Sequence, residues 1–203
     1  MTSNGIMFAQ VGSVHGVDYS WARPGGALLA SRGVKLAGRY LWASEGNKGI
    51  SRAEYDDLKA HGIDVFFFYE TSAEDSMAGG FDVGVKHAKA AQGFLDKLGL
   101  TAGKVHFNVD HDADASQFPA ILEGMRGAAS VLGKIDGTHR AGIYGEHDVV
   151  KVVLDAGYTY ACQTYAWSGG KWDARATTQQ WSNGQWGGSV DFTRAMHPDF
   201  GQA

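Results

Sequence analysis

Over residues 104–114, KVHFNVDHDAD, Val105, Phe107 and Val109 alternate with His106, Asn108 and Asp110. This is the period-two pattern of a strand with one apolar and one polar face. The stretch lies mid-chain among other strand–helix units, where both faces of a parallel sheet are covered. Its polar face is therefore expected to line an enclosed space. If the strand runs on, Asp110 and Asp112 project the same way, roughly 6.5–7 Å apart at the two-residue rise. Residues 15–19, 36–42, 63–70, 140–146, 158–167, 177–181 and 189–192 read as further strands.

Between them the spacing turns helical. A brief helix is expected over 27–31 after the turn Pro24-Gly-Gly26, and another from the Ser51/Glu54 capping-box pattern to about His61, ended by Gly62. A longer one spans about 80–98. The next carries Phe118, Ile121, Leu122, Met125 and Leu132 behind a Ser116 cap, and a last one covers 147–156. Roughly eight strands, recurring about every 25 residues with helices between most, predict an α/β protein built as one short (β/α)₈ barrel of TIM type, helix-poor in its final units. An open doubly wound sheet is the alternative. Residues 1–13 lack periodicity and read as an N-terminal lead-in, with the barrel over 14–203.

Composition narrows the function. A net charge of −4 without a Lys/Arg-rich run argues against a nucleic-acid partner, and no apolar span is long enough for membrane insertion. No signal peptide is recognised at the N-terminus. The single Cys162 can form no internal disulfide and is expected as a small buried hydrophobe. A monomer is expected. The 29 glycines suit tight strand–helix junctions, and an aromatic content of 12% suits a cleft that stacks on flat ligands.

In such a barrel chemistry collects where strands exit. The exits here carry Asp18 and Tyr19, Trp42, Tyr69 and Glu70, Asp110 with Asp112, Tyr144 and Glu146, Gln163 and Tyr165, Gln180 and Trp181, and Asp191; the strand starts carry nothing comparable. Acids crowded into a partly desolvated mouth raise one another's pKa, so that one stays protonated as an acid while another stays ionised. Tyr and Trp faces suit sugar rings, and amides suit hydroxyl and acetamido groups. Each residue also has a structural reading: Asp18 as a turn cap before Pro24, Glu70 as the partner of Arg39, Glu146 as a first-turn helix acid, Asp191 as an acceptor of backbone amides, and Tyr144, Gln180 and Trp181 as packing residues. His111, pointing opposite to its neighbours, reads as structural. The D-x-D-x-D run of Asp110, Asp112 and Asp114 is no EF-hand, because Ala115 and Ile121 stand where Gly and Glu are needed. No zinc spacing, phosphate loop or G-x-S-x-G turn is present, so neither metal nor cofactor is expected.

Taken in order, His15-Gly-Val-Asp-Tyr19, Phe107-Asn-Val-Asp-His-Asp112, Ile143-Tyr-Gly145, Gln180-Trp181 and Val190-Asp-Phe192 resemble the glycoside-hydrolase-like domain family of unknown function from actinobacteria and their phages. That family is similar to the glycoside hydrolase family 25 muramidases, which are (β/α)₈ barrels. The resemblance implies a lysozyme-like lysin that cleaves a β-1,4 bond of peptidoglycan next to an N-acetylated sugar. Such a lysin is made in the cytoplasm and reaches the cell wall through release or export by other proteins.

The muramidases carry an acid on the first strand, a D-x-E pair after the fourth and an acid on the last. These match Asp18, Asp110 with Asp112, and Asp191. Asp112 departs from the pattern, being one methylene shorter than the presumed proton donor. The implied catalytic set is Asp18, Glu70, Asp110 and Asp112. Asp110 would stabilise positive charge or orient the acetamido group, Glu70 or Asp112 would be the acid, and Asp18 would position them. Tyr19, Trp42, Tyr144, Gln163, Tyr165, Gln180, Trp181 and Asp191 would contact the sugar. The alternative is a glycan-binding module without catalysis.

Overall fold

The computed structural model describes residues 14–42, 48–72 and 76–203. Eight strands close a barrel: β1 (Val14–Asp18), β2 (Leu36–Tyr40), β3 (Asp64–Tyr69), β4 (Val105–Asn108), β5 (Ala141–Gly145), β6 (Ala161–Thr164), β7 (Thr178–Gly184) and β8 (Val190–Ala195). Helices α1 (Gly26–Ser31), α2 (Arg52–Ala60), α3 (Phe81–Lys97), α4 (Phe118–Leu132) and α5 (His147–Asp155) follow the first five strands in turn. A two-stranded hairpin, Lys134–Ile135 with Thr138–His139, precedes β5.

The expected barrel is present, helix-poor after β5, with one difference. Strand β8 runs antiparallel to both β7 and β1. Only residues 185–189 separate β7 from β8, with Trp186, Gly187 and Gly188 at positive φ. That is too short for the crossover a parallel strand requires, so the chain must return as a hairpin. The reversal brings Asp191, at the start of β8, level with Asp18 at the end of β1. The first and last strands thus deliver their acids to one rim.

The strand period sorts the side chains into two sets. Val17, Ala37, Phe67, Val105, Phe107 and Ile143 face outward and pack under Leu29, Leu58, Leu95, Ile121, Met125 and Val153 of the helices. Val14, Leu36, Phe66, Phe68, Tyr144, Cys162, Ala195 and Phe200 fill the interior. Cys162 is buried there, as expected, and burial pushes its thiol pKa up. The C-terminal segment seals the end opposite the acids. There Phe200 meets Phe66 edge-on at 6.0 Å, and the amide of Ala203 donates to the Val65 carbonyl at 2.9 Å.

Room for these aromatics comes from Gly38 on β2. A Cβ there would lie 2.6 Å from Phe68, 2.7 Å from Phe66 and 2.8 Å from Asp18 Cβ. Gly38→Ala is therefore expected to cost about 1–3 kcal/mol as overpacking. Thermal unfolding should show a fall of several degrees, and an unchanged midpoint would contradict the packing described.

Two caps differ from expectation. Ser51 caps α2 by accepting from the Glu54 amide at 3.1 Å, but the Glu54 carboxylate pairs with Arg39 (2.7 Å) instead of reaching back. Ahead of α4 the cap is Asp114, which accepts from the Ser116 amide at 2.8 Å, while Gln117 completes the box.

Candidate functional site

The first acid group sits where β3 and β4 exit. Tyr69 is level with Phe107, so Glu70 and Asp110 leave adjacent strands at the same rim, and their carboxyls lie within hydrogen-bonding reach. Glu70 forms an ion pair with Lys48, whose ammonium also lies 4.1 Å from the Tyr40 ring centroid. Asp110 titrates above the ordinary carboxylate range, first because it is partly buried and then because Glu70 stands beside it; Lys48 opposes the rise. Arg39, the expected partner of Glu70, faces outward and binds Glu54, because it alternates with the inward Gly38 and Tyr40.

The second group lies across the mouth. Asp18 is buried, with the Thr193 hydroxyl donating to it and Gln180 Nε2 donating to both of its oxygens at 3.0 and 3.1 Å. Gln180 is fixed in turn, its Oε1 accepting from the Tyr144 hydroxyl at 2.8 Å and from Thr164 Oγ1 at 2.9 Å. Since phenol and hydroxyl donate here and carboxylates can only accept, the amide orientation is determined. Asp191 lies 3.5 Å from Gln180 Nε2 and accepts from the Gly184 amide at 2.7 Å. Burial and the neighbouring Asp191 push Asp18 up to about 7 despite its two hydrogen-bond donors. Tyr40 stands between the groups. Its hydroxyl is pushed up first by burial, then by Asp18, Glu70, Asp110 and Asp191.

Several predicted residues lie elsewhere. Tyr19 follows the inward Asp18 and so points outward, where it is buried with Arg39 over its ring at 4.2 Å. Gln163 also faces outward, donating to the Lys171 carbonyl (2.8 Å) and accepting from the Asp173 amide (2.8 Å), and so braces the loop after β6. Trp42 is partly buried against the outer layer, edge-on to Tyr69 at 6.2 Å. Trp181 alternates outward from Gln180 and lies beside Phe192 at 5.3 Å, partly exposed. Tyr165 is exposed on the loop leaving β6. Glu146 caps α5, accepting from the amides of Asp148 (2.7 Å) and Val149 (2.9 Å). Strand β4 ends at Asn108, so Asp112 does not continue its alternation; it is exposed on the following loop and has no part in the interactions of the buried acids described above.

Tyr40, Lys48, Thr164 and Thr193 were not anticipated at the site, whereas Asn108 was expected only as part of the polar face of its strand. Counting inward positions from Gly38 would have found Tyr40, and the same count backwards from Asp110 gives Asn108. Lys48 lies outside any strand and left no periodic signal. Below Asn108, His106 is fully buried between Phe66 and Phe68, which drives its pKa down to about 4. Among the described residues no cluster of three metal-type ligands is assembled, and no helix is long and apolar enough to cross a membrane.

A closed α/β barrel with paired carboxyls at one rim defines the class: a glycoside-hydrolase-like barrel of TIM type. The matching family model is the Rv2525c-like, glycoside hydrolase-like domain, over residues 27–202, and the chain belongs to that family. Among solved structures it is similar to the Tat-secreted protein Rv2525c of Mycobacterium tuberculosis, crystallised with L-tartrate. The TM-score is 0.82 at 22% identity, covering 93% of this chain and 98% of that one. It is also similar to the spore cortex lytic enzyme SleM of Clostridium perfringens (TM-score 0.59, 12% identity, 94% of this chain and 69% of that one). A muramidase from Acremonium alcalophilum gives a TM-score of 0.58 at 14% identity, covering 92% and 94%. These likenesses show the fold. No match was found among curated protein sequences.

Proposed function

We propose that the protein is a glycosidase that cleaves a β-1,4 bond of peptidoglycan next to an N-acetylated sugar, at the cell wall. The observation that carries this reading is the Asp110–Glu70 contact with Lys48 beside it. Neighbouring carboxyls disfavour each other's charged form, which raises the Asp110 pKa. They are also closer than the 5 Å or more by which an acid and a nucleophile flank a glycosidic bond, so they act as one unit.

Lys48 pairs with Glu70, and Asp110 is the carboxyl whose pKa burial and the neighbouring Glu70 raise. Asp110 is thus the donor to the departing glycosidic oxygen, which replaces the charge-stabilising role that its place in the sequence suggested. Glu70 and Asp191 supply the negative field that favours an oxocarbenium-like transition state. The likeness to a muramidase and a spore cortex lytic enzyme supports the substrate class.

Release of new reducing ends from purified peptidoglycan, with the cleaved bond located by mass spectrometry, tests the reading; intact glycan strands would refute it. A further test uses Lys48→Met. Lys48 holds the Asp110 pKa down, so its removal should move the basic limb of the pH–rate profile to higher pH, and a limb that stays in place would remove Asp110 from the donor role.

The exposed position of Asp112 favours one other reading, a glycan-binding module without turnover. In that case walls would be bound but never cleared.

A further inference from the structure

Four carboxamides are buried in the barrel wall, and three have their oxygens paired; Gln179 Oε1 accepts from Arg194 at 2.9 and 2.7 Å. Gln180 accepts from Tyr144 and Thr164 and donates to Asp18. Gln163 donates to Ser168 and Lys171 and accepts from Asp173. Asn108 is the exception. It is 5% exposed, and among the described residues its buried Oδ1 has no hydrogen-bond partner.

Its place in the barrel is fixed by register. It sits two residues above His106, which touches the interior rings of Phe66 and Phe68, so it faces inward. It is level with Tyr144 on β5, and Glu70 leaves β3 at the same height. Asp110 is the next inward position. Asn108 therefore lies level with Glu70 and one inward position below Asp110.

We propose that Asn108 reads the ligand: its Oδ1 accepts a hydrogen bond from a neutral N–H or O–H donor on the sugar held over Asp110 and Glu70. The inference rests on the glycan reading above and adds the residue that selects the sugar. The chemistry follows from what surrounds the amide. Asp18, Glu70, Asp110 and Asp191 are acceptors when ionised, so a ligand carboxylate or phosphate is repelled there, whereas a ring substituent that donates supplies what Oδ1 lacks. Buried polar groups are normally paired, and a site built to hydrogen-bond one ligand group discriminates strongly against an analogue without it.

Asn108→Leu keeps the side-chain shape and removes the acceptor, and the smaller Asn108→Ala guards against a packing failure. Both would be titrated calorimetrically with N-acetylglucosamine tetramer and with cellotetraose, which carries a hydroxyl in place of the acetamido group, and both would be melted. The expected result is a roughly ten-fold or greater loss of affinity with a midpoint equal to or above wild type, since among the described residues Oδ1 accepts no hydrogen bond. An acetamido donor would appear as a wild-type preference for the N-acetylated tetramer that the variants lose. A hydroxyl donor would appear as equal losses with both probes.

Affinities within two-fold of wild type would overturn the inference while leaving the glycan reading intact. So would a marked fall in the melting midpoint of both variants, which would mark Asn108 as structural. Wild-type protein that binds neither tetramer would overturn the glycan reading and the ligand class assigned to Asn108 with it.

Discussion

Asp110→Asn is expected to reduce the rate of peptidoglycan cleavage by about 10²–10⁴-fold, the usual contribution of a positioned proton donor, without loss of stability. Asparagine keeps the shape and can still donate to Glu70, but it has no proton to give to a leaving oxygen. It also removes a carboxyl that is half-desolvated and repelled by its neighbour, so the melting midpoint should hold or rise. Wall turbidity and reducing-end assays on the folded variant provide the measurement. Glu70→Gln should fall by a similar factor for a different reason, because Lys48 then loses its anionic partner and the pair loses its acceptor. Full activity in either variant would remove the pair from the chemistry.

The second large effect concerns stability and pH. Asp18 has a folded pKa of about 7 against an ordinary value of 3.8, so folding takes up a proton between those values. The stabilisation is complete below about pH 4, declines as the pH rises, and is gone above about 7. At about 1.4 kcal/mol per pH unit the effect is on the order of 4 kcal/mol, or roughly 8–16 °C in melting midpoint for a domain of this size. Asp18→Asn, which cannot ionise, should gain on wild type steadily from pH 4 to 7.5. Parallel melting curves for the two proteins across that range would show that Asp18 does not carry the charge burden assigned to it.

The barrel was legible because its strands alternate cleanly and its helices carry stop signals such as Gly62 and Gly99, each at positive φ in the structure. The same alternation, applied strictly, separates Asp18, Tyr40, Asn108 and Gln180 on the inside from Tyr19, Gln163 and Trp181 on the outside. Nearness to a strand end, taken without parity, puts those last three residues in the mouth. Asp112 departs from the expected alternation for another reason: parity holds only while a strand lasts, and β4 stops at Asn108. The partnership of Lys48 with Glu70 depends on how a loop crosses the rim, and no local pattern encodes that. The antiparallel return of β8 was readable in principle from the few residues between β7 and β8.

That return has a consequence for how the molecule comes into being. Asp18 and Asp191 come from opposite ends of the cylinder's chain and face one another only when β8 docks on β1. A nascent polypeptide lacking β8 would leave β1 and β7 as bare, adhesive sheet edges and would hold half of a carboxyl couple. Completion of the seam therefore shields the sheet from aggregation and assembles that couple in a single event.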